Sequence, residues 1–162
     1  MRPSGLGMKL FRNIFWWLSF MVMAIAVQSC IPGLDVLVLG LIILLQEEDY
    51  KNMLWLLPLF IFLQEGMGSR NFGVSIVWYA VVFVLFTLGR WLFEVGNFLF
   101  VFLLSTCLGA AYLGVAWLMA PVQNIPFNMQ EMLDVSLIQA LFLPFAWWLL
   151  VMTRRWGSND TA

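Results

Sequence analysis

The sequence predicts an all-α integral membrane protein built as a bundle of six transmembrane helices. Of its 162 residues, 63% are hydrophobic and only 10% are charged, and the mean hydropathy is +0.93. A soluble domain is nearer half apolar and about one quarter charged, and it could not cover this much apolar surface with polar groups. The short polar segments predict one membrane domain over residues 14–152, between tails at 1–13 and 153–162.

Four apolar runs are long enough for a helix that crosses the hydrocarbon layer, which needs roughly 20 residues. They are Ile14 to Cys30, Phe72 to Gly89, Phe98 to Ala120 and Leu133 to Met152. Two shorter runs, Val36 to Leu45 and Met53 to Leu63, lie between the first and the second. The short runs span if their helices extend into the flanking polar residues or if the bilayer thins locally. Otherwise they form a re-entrant hairpin covered by other helices. We expect six spans.

The distribution of Lys and Arg predicts the orientation. With six spans, the tails and the loops at 46–52 and 90–97 share one side of the membrane, and that side holds seven of the eight basic residues. The positive-inside rule therefore places both termini in the cytoplasm. The seven are Arg2, Lys9, Arg12, Lys51, Arg90, Arg154 and Arg155, and the eighth is Arg70.

The N-terminal segment has a second interpretation. Basic residues, an apolar run and the ending VQSC are typical of a secretory signal, with Cys30 as the acylated residue of a lipoprotein. Gln28 fits poorly beside such a cleavage site, and a protein with six spans gains little from a lipid anchor. We expect the first helix to remain uncleaved.

Two short polar stretches fall on the predicted extracytoplasmic side. In FLQEGMGSRNFG, at 62–73, Gly66 and Gly68 permit a tight reversal, and Glu65 and Arg70 are close enough in sequence to pair across it. This stretch is either an interfacial turn with a weak salt bridge or a turn shaped to receive a partner. Asp35 opens the second helix, where a carboxylate can accept hydrogen bonds from free N–H groups. Capping alone is sufficient to explain Asp35, and binding is the alternative.

Small residues in the fifth span predict a helix-packing face, because close approach supplies the packing that hydrophobicity cannot supply in lipid. The neighbouring helix belongs either to this chain or to a partner. One stripe consists of Ser105, Gly109, Ala116 and Ala120, and Ala110 and Gly114 form a second small pair.

Inside the sixth span lies the polar residue Gln139, shortly before Pro144. Proline inside a helix frees a carbonyl group and bends the helix. An unpaired amide in hydrocarbon is costly, so we expect Gln139 to face protein. An interhelical hydrogen bond is the favoured role, and a substrate contact is the alternative.

Composition and motifs exclude several classes of function. The net charge of −1 gives no field for nucleic acid. The chain has no His and only Cys30 and Cys107, which removes the usual zinc and copper ligand sets and a disulfide framework. It lacks an intramembrane carboxylate pair, a Ser-His-Asp pattern and a phosphate-binding glycine loop. We therefore expect no enzyme, no metal and no cofactor. Charges fall only at span ends, in loops or in tails, which also argues against ion conduction.

The order of these features resembles a known family. PGLDVLVLGLIILL opens the second span, LQEGMGSRNFG ends the third, and SLIQALFLPFAWWLLVMTRRW forms the last. Over residues 14–156 this order is similar to the bacterial rod-shape-determining membrane protein family MreD. Two residues separate Pro32 from Asp35, and Glu65 stands where the family pattern has Asp.

The resemblance implies a six-helix bundle in the bacterial inner membrane, similar to substrate-binding subunits of energy-coupling-factor vitamin transporters. It implies a non-enzymatic role in cell elongation, with MreC, the actin-like MreB and the peptidoglycan glycosyltransferase and transpeptidase as partners. Asp35, Glu65, Gly66 and Gly68 are the matching positions. The alternative function is a small-molecule-binding membrane subunit of a vitamin transporter.

Overall fold

The residues that the structure describes form six α-helices. The structure, a computed structural model, describes residues 5–31, 33–66, 73–95, 97–123 and 128–159. The helices are α1 (Gly5–Cys30), α2 (Leu37–Gln46), α3 (Tyr50–Gly66), α4 (Val74–Leu92), α5 (Phe98–Gln123) and α6 (Met129–Asn159).

Helix α2 lies at the centre of the bundle. Every residue from Leu37 to Leu45 is buried, and α2 packs against α1, α3, α4 and α6. At 1.5 Å per residue its ten residues are about 15 Å long. That is roughly half the thickness of the hydrocarbon layer. The surrounding helices cover this short helix from Leu37 to Leu45.

Gly40 allows two aromatic rings to close on the middle of α2. An ideal Cβ atom built on Gly40 would lie 2.7 Å from the ring of Phe20 and 2.9 Å from the ring of Phe60. Phe20 comes from α1 and Phe60 from α3, and their ring centroids are 6.3 Å apart. The missing side chain at Gly40 therefore brings α1 and α3 together over α2.

Helices α4, α5 and α6 form the other half of the bundle. Neighbouring helices in this group are consecutive in sequence and antiparallel, and α5 packs along α6. Gly89 of α4 faces the ring of Phe100, and the indole of Trp78 meets the ring of Tyr112 edge-on at 5.6 Å between centroids. Close contacts of a glycine with an aromatic ring, and of one ring with another, thus occur in this half of the bundle as they do around α2.

The outer surface of the bundle is apolar. Large hydrophobic side chains are exposed on α1, α3, α4, α5 and α6, including Phe11, Leu54, Leu88, Trp117 and Phe145. Lipid tails contact such a surface without the cost that water imposes. Among the described residues, four helices are long and apolar enough to cross a membrane: α1, α4, α5 and α6. The chain is therefore a multi-pass, all-helical membrane protein.

The observed helices differ from the predicted runs in their bounds. The four long spans coincide with the four long apolar runs, and the all-helical class is confirmed. Helix α1 begins at Gly5 and α6 ends at Asn159, so parts of both predicted tails are helical. A helix can continue beyond the hydrocarbon layer through polar residues. The limits of an apolar run therefore do not show where the helix ends. The ten residues of α2 and the 17 of α3 remain short, at about 15 and 26 Å.

Candidate functional site

Three polar side chains form a hydrogen-bonded cluster at one end of the bundle. Gln28 Nε2 donates to Asp35 Oδ1 at 3.4 Å and to Gln64 Oε1 at 3.1 Å. The exposed fractions are 8% for Gln28, 0% for Asp35 and 3% for Gln64. The cluster joins α1, the segment before α2, and α3. We call this end of the bundle the Asp35 end.

Asp35 also holds the first turn of α2, because its Oδ1 accepts a hydrogen bond from Val38 N at 3.3 Å. The preceding Gly33 has φ +89°, a conformation that favours glycine. A Cβ atom built there would lie 3.0 Å from a methyl carbon of Val135. Glycine therefore both turns the chain into α2 and lets the turn contact α6.

Glu65 lies next to this cluster in the chain and closes the connection between α3 and α4. Its Oε1 accepts a hydrogen bond from Gly73 N at 2.7 Å. Gly73 has φ +92° and precedes α4, and Gly66 is the exposed last residue of α3. Gly68 and Arg70, the other residues predicted for this turn, lie outside the described residues. The described partner of Glu65 is thus a backbone N–H group.

Gln139 lies inside the bundle at the level of the first turn of α2. Two contacts define the register between α2 and α6: Gly33 with Val135, and Gln46 with Trp147. Gln46 and Trp147 are 101 positions apart in the sequence, and Gly33 and Val135 have almost the same separation. The register is therefore the same at both ends of α2. Gln139 follows Val135 by four positions and therefore shares its face of α6.

The expected interhelical hydrogen bond of Gln139 is not observed. The side chain is fully buried, and neither Oε1 nor Nε2 has a hydrogen-bond partner in the described part of the chain. The register set by Gly33 and Val135 places Gln139 level with the first turn of α2, which is Leu37, Val38 and Leu39. The sequence correctly placed Gln139 against protein, but the structure does not show the hydrogen bond expected for it.

The small residues of α5 divide between two faces. Ser105 and Gly109 are buried, and Ser136 Oγ donates to Gly109 O at 2.7 Å across the contact with α6. Ala110 and Gly114 are exposed, and no described atom lies within 4 Å of a Cβ built at Gly114. Successive helical residues are about 100° apart, so neighbours such as Gly109 and Ala110 cannot share a face.

Pro144 does not end α6, which continues through it to Asn159. The residue is buried in the described part of the bundle, next to Leu143. The bend expected at Pro144 therefore lies within one continuous helix and does not divide it.

The opposite end of the bundle holds paired charges, and we call it the Glu47 end. Glu48 pairs with Arg90 of α4, and Glu47 pairs with Arg154 of α6. The Arg154 guanidinium also lies over the rings of Trp16 and Trp17, at 4.6 and 5.0 Å from their centroids. These contacts tie the turn after α2 to α1, α4 and α6.

Gln46 closes α2 at the Glu47 end. Its Nε2 donates to Val95 O at 2.9 Å, and its Oε1 accepts from Trp147 Nε1 at 2.7 Å. Sequence reasoning missed the roles of Gln28, Gln46 and Gln64. Each is a single Gln at the end of an apolar run, and that position is the signal that could have identified them.

The arrangement at the Asp35 end is suited to holding helices and a turn in place. Its hydrogen bonds link side chains of three segments, and most of its polar atoms are shielded from solvent. Among the described residues, no three His, Cys, Asp or Glu side chains come together as metal ligands would.

Comparison with known protein families, with curated proteins and with solved structures found no match to this chain. The resemblance to the MreD family therefore rests on the sequence features alone.

Replacing Gln139 and Gln28 separately with Met, which has a similar volume, should change stability in opposite directions. Gln139→Met removes two unpaired buried polar atoms and should stabilise the fold by about 1–3 kcal/mol. Gln28→Met removes the donor of two hydrogen bonds and should cost about 1–3 kcal/mol. Thermal unfolding in detergent measures both variants. A lower unfolding temperature for Gln139→Met would show that its amide has a stabilising partner.

Proposed function

We propose that this chain is a non-enzymatic membrane component of the bacterial cell-elongation machinery, similar in role to the MreD family. The order of its sequence features supports the proposal, together with a fold made entirely of helices among the described residues. In this role it acts as a scaffold that positions other membrane proteins of lateral peptidoglycan synthesis.

One observation carries the proposal. The two acidic residues that match the family pattern, Asp35 and Glu65, come from separate helical connections and lie at the same end of the bundle. Asp35 accepts a hydrogen bond from Gln28, which also donates to Gln64, the residue before Glu65. Spacing in the sequence alone does not require this convergence. It is the arrangement expected if both residues hold the same end of the bundle in place.

The proposed topology has six spans, with α2 and α3 as short spans and both termini in the cytoplasm. Two features of the fold support it. The turn after α2 meets Arg90 and Arg154 at the Glu47 end. The connection from α3 to α4 lies beside the Asp35 end through Glu65. The Glu47 end is then cytoplasmic, which agrees with the excess of Lys and Arg on that side.

The proposed docking surface is the extracytoplasmic turn closed by Glu65 and Gly73. The hydrogen bond between them holds the end of α3 beside the start of α4, so these two helix ends offer a partner a preorganised pair of positions. MreC is the proposed direct partner. MreB and the peptidoglycan glycosyltransferase and transpeptidase are reached through the same complex.

The scaffold function fits the interior of the Asp35 end better than the vitamin-transporter alternative. The unpaired polar atoms of Gln28, Ser75, Trp78 and Gln139 each expose less than 1 Å². Atoms so enclosed by protein would be reached by a ligand of vitamin size only if helices moved apart. A vitamin retained through detergent purification would reverse this preference.

Affinity purification tests the scaffold function. A tagged chain, expressed in the rod-shaped bacterium that encodes it, should recover MreC, and depletion of the chain should make the cells round. Glu65→Ala removes the acceptor for Gly73 N and should lower the recovery of MreC. Glu94→Ala, at an exposed position of the 93–97 connection, is the matched control. Normal shape after depletion, with no wall-synthesis protein recovered, contradicts the proposal.

Native Cys30 tests the orientation, because it is exposed and ends α1 at the Asp35 end. In a Cys107→Ser variant, a membrane-impermeant thiol reagent should label Cys30 in cells whose outer barrier has been opened and whose inner membrane is intact. Glu94→Cys, in a chain lacking both native cysteines, should react only after the inner membrane is permeabilised. The reverse pattern contradicts the orientation. A Cys30 thiol blocked in both samples is what the lipoprotein interpretation predicts.

A further inference from the structure

One of the two short helices meets the surrounding lipid, and the other does not. Every residue of α2 from Leu37 to Leu45 is buried, so lipid does not contact this helix along its length. Helix α3, in contrast, presents exposed residues on one helical face. These four residues, which we call the α3 stripe, are Leu54, Trp55, Pro58 and Phe62. The length of α3 therefore matters to the bilayer, whereas the length of α2 does not.

Polar residues bound the α3 stripe at both ends. Lys51 is exposed three positions before Leu54, and Glu65 is partly exposed three positions after Phe62. The apolar run between them, Met53 to Leu63, is about 16 Å of helix. The hydrocarbon layer of a typical bilayer is roughly 30 Å thick. The apolar run of α3 is therefore about half as long as that layer is thick.

Contacts within the protein fix the level of each end of the stripe. At the Asp35 end, Glu65 Oε1 accepts a hydrogen bond from Gly73 N at 2.7 Å. At the Glu47 end, Trp55 Nε1 donates to Asn52 Oδ1 at 3.0 Å, and Asn52 N donates to Asp49 Oδ1 at 3.3 Å. An exposed Trp ring with one polar edge suits the headgroup layer. Trp55 thus places that layer only about 15 Å along the helix from Glu65.

The two lipid-facing helices in contact with α3 are longer. The span Phe11–Cys30 of α1 and the span Val74–Leu92 of α4 have 20 and 19 residues, and both helices contact α3. These spans are about 30 and 28 Å long. In α4, Leu88 is 59% exposed just before Arg90, which pairs with Glu48 in the turn that precedes α3. The apolar surface of the bundle is therefore shorter at α3 than at its neighbours.

A hydrophobic stretch shorter than the bilayer is accommodated by snorkelling of flanking side chains, by association with another helix or by thinning of the bilayer. Snorkelling is open to Lys51 but not to Glu65, whose carboxylate is bonded to Gly73 N. Helices associate closely in membranes where their contact residues are small, whereas the α3 stripe consists of Leu, Trp, Pro and Phe. Thinning of the bilayer fits the helix best.

We propose that the bilayer is thinner where it meets α3, and that this face of the bundle selects lipids with short or disordered acyl chains. The inference rests on the proposed topology, in which α3 is a span, and it is independent of the scaffold role. It gives the protein a preference for thinner parts of a membrane, because mismatch sorts proteins by membrane thickness.

Spin labels on α3 and α4 measure the local thickness. Each label is attached to a single cysteine in a chain that carries Cys30→Ser and Cys107→Ser. In dioleoyl phosphatidylcholine bilayers, collisions with oxygen and with a water-soluble nickel complex give the immersion depth of each label. The thickness at a helix is the sum of its two depths and the distance between its labels, about 12 Å on α3 and about 18 Å on α4. The substitutions, all at exposed positions, are Leu54→Cys, Phe62→Cys, Ile76→Cys and Leu88→Cys.

We expect a thickness of about 20 Å at α3, which is the distance along the helix from Lys51 to Glu65, and about 30 Å at α4. Thiol labelling of Lys51→Cys and Gly66→Cys from each side of the membrane separates the two ways of failing, since both positions are exposed. Reaction from opposite sides, with equal thickness at α3 and α4, overturns the thinning alone. Reaction from the same side shows that α3 does not cross, and it overturns the topology as well.

A change in the length of the stripe tests the cause of the thinning. Lys51→Leu lengthens the apolar face by about one turn and should increase the thickness at α3 by about 5 Å. Lys51→Gln keeps a polar residue at the same position and should leave the thickness unchanged. No increase in Lys51→Leu overturns the proposal. Spin–spin broadening between labels at position 54 or 62 also overturns it, because a second copy of the chain would then cover the stripe.

Discussion

The fold depends on enclosing one helix that is too short to cross a bilayer alone. Helix α2 is about 15 Å long, and every residue from Leu37 to Leu45 is buried. Backbone groups at the ends of such a helix need partners within the protein, because hydrocarbon offers none. Asp35 provides one at the first turn, and Gln46 links the last turn to Val95 and to Trp147. The packing of the surrounding helices brings Val95 and Trp147 to the last turn of α2.

The two ends of the bundle use different chemistry. At the Asp35 end, buried amide and carboxyl groups hydrogen-bond to one another. At the Glu47 end, ion pairs lie at the surface, and the Arg154 guanidinium lies over two Trp rings. Exposed ion pairs contribute little to stability, whereas buried hydrogen bonds are costly to break. The described contacts at the Asp35 end are therefore the more costly of the two sets to break.

The sequence predicted the long helices well because their apolar runs match the thickness of the membrane. It could not place α2 at the centre. The run from Val36 to Leu45 is apolar on every side, and an apolar run without periodicity does not show which neighbours cover it. The hydrogen bond expected for Gln139 likewise depended on which side chains of other helices face it, and the sequence does not show these.

The candidate site was predicted in part. Asp35 and Glu65 were identified from their positions at helix ends, but Gln28 and Gln64, which link them, were not. Single Gln residues near span ends are common, and their pairing depends on how α1 and α3 approach each other over Gly40. In α5, the sequence separated the pair Ala110 and Gly114 from the stripe that contains Gly109, but it could not show that only Ser105 and Gly109 of these four are buried.

Carbene footprinting from a diazirine reagent dissolved in the lipid tests the enclosure of α2 most directly, because it needs no substitution. Mass spectrometry then locates the modified residues. The exposed residues Leu54 and Phe62 of α3 and Leu88 of α4 should be modified, and residues 37–45 should remain unmodified along their whole length. Modification of residues 37–45 with a helical period would show that α2 faces lipid, and it would contradict a fold built around an enclosed central helix.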